Sequence, residues 1–204
     1  MNRRGRLTAV LLAVLVALLL QVTVLPHFAW DVGGLGVVPD LVLLAVVATA
    51  LATDARFATL TGFWAGLLLD IAPPADHVAG RWALALMAVG YVVGRLVHDH
   101  AGDAAAGSRF AREGVRRPPL FLALAAAAGG SFVGTSLFAL TGVLLRDSGA
   151  SVGDLLPVAL VALVLDVVAA LVVLPAALWL FGRTTGDAVP RPAARPTQRM
   201  RART

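Results

Sequence analysis

Six long apolar stretches dominate this chain and decide what it can fold into: Leu7–Leu25, Val37–Thr53, Phe57–Ile71, Trp82–Val97, Leu120–Leu145 and Leu155–Phe181. A soluble domain has no means of hiding so much apolar surface from water. The chain is 59% apolar and 14% charged, whereas an average globular protein is roughly 25% charged. Its mean hydropathy is +0.85. A helix perpendicular to a bilayer needs about 20 residues to cross about 30 Å of hydrocarbon. The first stretch is adequate, the last two have length to tilt, and the middle three are short and need packing inside a bundle. Continuous rather than alternating apolar runs exclude a transmembrane β-barrel. The expectation is an all-α integral membrane protein: a six-transmembrane-helix bundle over 1–182 and a basic Pro/Arg-rich flexible tail over 183–204.

Arg3, Arg4 and Arg6 precede the first stretch in the manner of a signal peptide. The run is longer than a typical signal core and continues into Gln21–Pro26 without a small-x-small cleavage site, so it reads as a retained helix. All 17 basic residues are arginine. With six crossings and a cytoplasmic N-terminus, only Arg81 and Arg146 fall outside, and every other arginine falls inside, as the positive-inside rule asks. Dropping the third stretch would export the arginine-rich tail. Both termini are therefore expected in the cytoplasm. The tail, and the inner loop His98–Pro118, read either as topology determinants or as contacts for anionic lipid or a cytoplasmic partner. Topology already accounts for the net charge of +5, so no nucleic-acid partner is implied.

Ionisable groups within the apolar stretches are the best functional pointers. Asp40 follows Pro39 at the outer start of the second stretch, where proline suits a first turn and an acid complements the positive helix end. A helix-start signal thus competes with a functional reading. Asp70 closes the segment Gly62-Phe-Trp-Ala-Gly66-Leu-Leu-Leu-Asp70, with its three marked residues four apart along one face. An acid at a helix C-terminus is disfavoured. It requires outer water or a compensating partner: Arg81, His77 or a group on another protein. Asp166 lies deepest, about 17 Å into the last stretch at 1.5 Å per residue. An ionised aspartate there costs about 2.5–3.5 kcal/mol. Ala159, Ala162, Ala169 and Ala170 give it a small-residue face that suits close packing, so it should point into the bundle. It is either protonated or bonded to Ser131 or Thr135 on the fifth stretch, as a structural link or as a substrate or proton site.

Paired glycines at Gly62/Gly66, Gly90/Gly94 and Gly130/Gly134 lie within stretches, and Gly149/Gly153 and Gly182/Gly186 lie outside them. Twenty glycines produce some such pairs by chance, so they support tight helix packing and nothing finer.

Several chemistries are missing. With no cysteine, a disulfide scaffold, a thiol enzyme and a thiolate zinc site are excluded. Ser131 and Ser136 lie at membrane depth, but His27, His77, His98 and His100 fall in loops or at edges, against an intramembrane serine protease. His98 and His100 diverge on a helix and lack further ligands, so no metal is expected. Phosphate-binding, dinucleotide and zinc-protease signatures are absent. Neither a cofactor nor catalysis by this chain is expected.

The order of features resembles a known family. Pro39-Asp40-Leu41-Val42-Leu43-Leu44 opens the second stretch, and Gly62-Phe63-Trp64-Ala65-Gly66-Leu67-Leu68-Leu69-Asp70 fills the third. Gly80 and Gly90-Tyr91-Val92-Val93-Gly94 follow. This resembles the rod shape-determining protein MreD family over about residues 7–182, with the recognisable motifs in 37–95. The resemblance implies a multi-pass protein of the bacterial plasma membrane, a non-enzymatic subunit of the cell-elongation machinery. The partner it implies is MreC, with MreB, RodA and a class-B penicillin-binding transpeptidase in the same complex. It further implies a role in positioning or regulating peptidoglycan synthesis, and hence cell shape. The matched positions Pro39, Asp40, Gly62, Gly66 and Asp70 would form a helix-packing face and an outer interface for MreC. The family bundle is also similar to substrate-binding subunits of energy-coupling-factor vitamin transporters. That reading would need a polar pocket built from Asp40, Asp70 and Asp166.

Overall fold

The computed structural model describes residues 3–32, 35–73, 78–105, 118–145 and 152–184. The described residues contain six α-helices: α1 (Arg3–Leu19), α2 (Leu41–Ala52), α3 (Ala55–Ile71), α4 (Arg81–Ala105), α5 (Leu120–Leu144) and α6 (Val152–Thr184). Three stretches, Gly5–Phe28, Leu120–Leu144 and Leu156–Arg183, are long and apolar enough to cross a membrane. The tail beyond Thr184, His77, Arg146 and the arginines at 109, 112, 116 and 117 lie outside the described residues.

The first helix does not stop cleanly. It widens into a π turn at Leu20–Val24 and then tightens into a 3-10 turn at Leu25–Phe28, with Pro26 in that last turn. A short antiparallel hairpin follows, β1 (Trp30–Val32) against β2 (Leu35–Val37), with Trp30 opposite Val37 and Asp31 opposite Gly36. The architecture is therefore mostly helical, as expected, with one small hairpin added. It also shortens the second apolar stretch: Val37 belongs to the hairpin and the helix begins at Leu41. Pro39 carries no N–H for an intrahelical bond, and Asp40, in extended backbone (φ −88°, ψ 90°), is the N-cap. At the other extreme α4 runs past Val97 to Ala105, taking in the start of the segment His98–Pro118 expected as a loop.

The bundle is built around α2. Residues Val42 through Ala50 are all buried, because α1, α3, α4, α5 and α6 surround the helix. A helix apolar on every face is the kind that occupies a core. The outer helices keep broad apolar faces open: Phe121 is 83% exposed and Val172 73%. Helix ends sort to two sides. The Arg6 guanidinium sits over the Phe57 ring, and Gly94 lies against Ala55, so the starts of α1 and α3 share one end with the later part of α4. Gly142, near the end of α5, lies against the guanidinium of Arg81, which opens α4, at the opposite end.

Helices α3 and α4 approach unusually closely. A Cβ placed on Gly62 would strike the backbone of Leu86, one on Gly66 that of Trp82 and Ala83, and one on Gly90 that of Ala58. Here glycine is what allows two backbones to touch. Gly130 and Gly134 on α5 differ: their neighbours are side-chain methyls of Val47 and Leu43, each at 2.9 Å from the position a Cβ would take.

Candidate functional site

The start of α2 gathers the buried polar groups. Its N-cap lies against the interior of α6, since Asp166 is 14 residues past Val152, about 21 Å along at 1.5 Å per residue. A helix that begins inside a bundle exposes its first N–H groups where water is scarce, and each unsatisfied group costs several kcal/mol. Side chains from three segments meet that need. The Asp40 N–H donates to Asp166 Oδ1 at 2.6 Å. The Val42 N–H donates to Gln21 Oε1, from the π turn after α1, at 2.9 Å. The Leu43 N–H donates to Asp40 Oδ1 at 2.8 Å. Asp166 Oδ2 in turn accepts the Ser131 hydroxyl of α5 at 2.6 Å.

Asp166 is thus satisfied on both oxygens at 3% exposure. Of the two partners expected for it, Ser131 makes the bond, and the Thr135 hydroxyl turns back to the Ser131 carbonyl of its own helix. Asp40 is the less settled member. Its Oδ2 is buried without a hydrogen-bond partner among the described residues. The cluster links α1, α2, α5 and α6 through one helix start. Among the described residues no group of three or more His, Cys, Asp or Glu side chains stands ready to hold a metal.

Asp70 sits in a second helix start. Its carboxylate accepts from the Gly80 and Ala83 N–H groups through Oδ2, at 2.8 and 3.0 Å, and from the Trp82 N–H through Oδ1 at 3.1 Å. The acid at the unfavourable end of α3 therefore sits at the favourable end of α4, whose N-terminal N–H groups and dipole compensate its charge. Gly80, at φ +98°, makes the turn that brings the chain back. Arg81 folds over Phe138 of α5, its guanidinium 3.9 Å from the ring centre and its Nη2 donating to the Phe138 carbonyl at 2.8 Å.

Pro39, Asp40 and Asp166 come together at the first helix start. Gly62, Gly66 and Asp70 come together along the α3–α4 hairpin. Gln21 is the residue that reading the sequence passed over. Its signal was a lone amide within an otherwise apolar stretch, the same kind of signal that marked Asp166. The chain matches no protein-family model, no curated protein and no solved structure.

Proposed function

We propose that this chain is a non-enzymatic, multi-pass subunit of the bacterial cell-elongation machinery, of the MreD kind, that binds MreC and helps position or regulate peptidoglycan synthesis. The reading rests on the sequence resemblance, and within it the motif residues have an internal role instead of an outer one. Asp40 and Asp70 cap α2 and α4, and Gly62 and Gly66 seat α3 on the α4 backbone. In this proposal those residues build a rigid scaffold, and the outward apolar faces of α1, α5 and α6 meet partner helices and lipid. RodA, MreB and the class-B transpeptidase belong to the same assembly. Six crossings with both termini cytoplasmic fit the arginines at the helix ends. Arg6 and Arg56 lie at one end with Arg95, and Arg81 lies at the other.

The transporter-subunit alternative needs its carboxylates free for a ligand. Instead Asp70 and Asp166 spend both oxygens on internal donors, which favours the scaffold. Purification of the tagged chain from its host in mild detergent, with mass spectrometry of co-eluting proteins, separates the two. Recovery of MreC, RodA or the transpeptidase is the expected result. Recovery of a coupling subunit with paired ATPases would overturn the proposal.

A further inference from the structure

Helices α1 and α3 flank α2 on one side and leave an apolar groove of about 340 Å³ between them. Leu7, Leu11 and Val14 form one wall; Leu60, Trp64 and Leu68 form the other. That volume falls within the roughly 300–1,000 Å³ of small-molecule sites. The walls are open to whatever surrounds the bundle: Leu11 is 57% exposed, Leu60 60% and Trp64 61%. Thr61, a polar lining residue, turns its hydroxyl to the Phe57 carbonyl at 2.9 Å and so offers the groove a hydrocarbon surface.

The groove has a charged head. Arg6 immediately precedes Leu7, and its guanidinium is held 5.0 Å from the centre of the Phe57 ring, which also lines the groove. That contact holds a guanidinium, a group that seeks anions, at the end of an otherwise apolar groove. Arg3 and Arg4 open the same helix, and Arg56 opens α3 at the same end. The groove's length then selects the occupant. From Phe57 to Leu68 it runs about 17 Å along α3 at 1.5 Å per residue, close to half of a hydrocarbon core about 30 Å thick. A partner's transmembrane helix crosses both leaflets, whereas a lipid tail occupies one.

We propose that the α1–α3 groove binds an anionic phospholipid of the leaflet at the Arg6 end, with an acyl chain along Leu11, Leu60 and Trp64 and the phosphate at Arg6. The site is separate from the basic tail and does not depend on the cell-elongation reading. The test is native mass spectrometry of the full chain, extracted from vesicles of equal parts phosphatidylglycerol and phosphatidylcholine. The expected result is one phosphatidylglycerol retained per chain in preference to phosphatidylcholine. Arg6→Gln should cut that preference about tenfold, the worth of one charge-assisted hydrogen bond. Arg183→Gln, at the far end of α6, should leave it unchanged. Leu60→Trp, which fills the groove, should reduce retention of both lipids, and it tests the site even if the Arg6 variant does not fold. Equal retention of the two lipids, or a preference that survives Arg6→Gln, would overturn the proposal. So would a photo-crosslinker at Leu60 that labels a protein helix instead of lipid.

Discussion

Helices α2 and α4 both begin where backbone N–H groups need help, and they find it by different routes. Helix α4 is capped by Asp70, from the end of the preceding helix, through three N–H groups. Helix α2 is capped by Asp166, which is 126 positions away in sequence, and by Gln21, with only Leu43 served locally by Asp40. The first device belongs to a hairpin and is complete once α3 and α4 meet. The second exists only after α1, α2, α5 and α6 have assembled. The hairpin is therefore a local unit with its own packing and caps, and the α2 start records the closure of the rest of the bundle.

The largest expected effect lies in the local unit. Gly66→Leu places a side chain where the backbone of Trp82 and Ala83 already lies, and no rotamer relieves a backbone clash. Overpacking costs about 1–3 kcal/mol when side chains adjust and more when they do not. The chain should elute as aggregate in detergent. Gly134→Leu, facing the movable Leu43 methyl, should remain monodisperse with a lowered thermal midpoint. Equal damage at both positions would remove the distinction between backbone and side-chain contact.

Next comes Asp70. Hydrogen bonds to a charged group contribute about 1.5–3 kcal/mol each, and not additively, so Asp70→Ala should lose about 3 kcal/mol or more. Asp70→Asn should rescue little, because an amide NH₂ on either side faces an N–H donor. Asp166→Ala should lose about 2–3 kcal/mol by the same reasoning with fewer bonds. Here Asp166→Asn should recover most of the loss. Its carbonyl can accept from the Asp40 N–H while its NH₂ donates to Ser131, whose hydroxyl rotates to accept. Thermal midpoints of the four variants in one detergent check this crossing pattern. Identical behaviour of the two asparagine variants would break the contrast between the caps.

Much of this frame was legible because polar residues in apolar helices have few explanations. Pro39-Asp40 before an apolar run announced a helix start, and Ser131 was among few polar candidates on α5 to meet Asp166. Asp70 was recognisable as a charge at the wrong helix end that needs compensation, but the N–H groups that supply it were not. Backbone N–H groups of the next helix carry no letter in the sequence. The hairpin Trp30–Val37 escaped because it adjoins a longer apolar run, although the Gly33-Gly34 pair between two short strand-like segments is itself a hairpin signal. Gln21 escaped because its role depends on α2 starting deep, which hydropathy alone does not reveal.

Gln21 supplies a smaller effect. Gln21→Leu keeps an apolar turn but leaves the Val42 N–H without its acceptor, a loss of about 1–3 kcal/mol when the group stays dry and less if water reaches it. A thermal midpoint indistinguishable from the parent would place the start of α2 in contact with water and weaken the view of it as an interior site.

The smallest expected effect is the most discriminating for function. Asparagine ranks level with aspartate as an N-cap, so Asp40→Asn should preserve the bond from the Leu43 N–H. It also removes a formal charge beside Asp166 and gives the unpartnered Oδ2 position an uncharged group to bury, which costs less than burying a carboxylate. The expected stability change is within about 0.5 kcal/mol, on the favourable side if repulsion between the two acids was present. If the Asp40→Asn chain folds as well as its parent and co-purifies with the same proteins as its parent, the carboxylate is a capping group and the long-range cluster is architecture. If it folds but loses a protein that its parent recovers, the charge at the α2 start has a use that Asp70, bound on both oxygens, does not share.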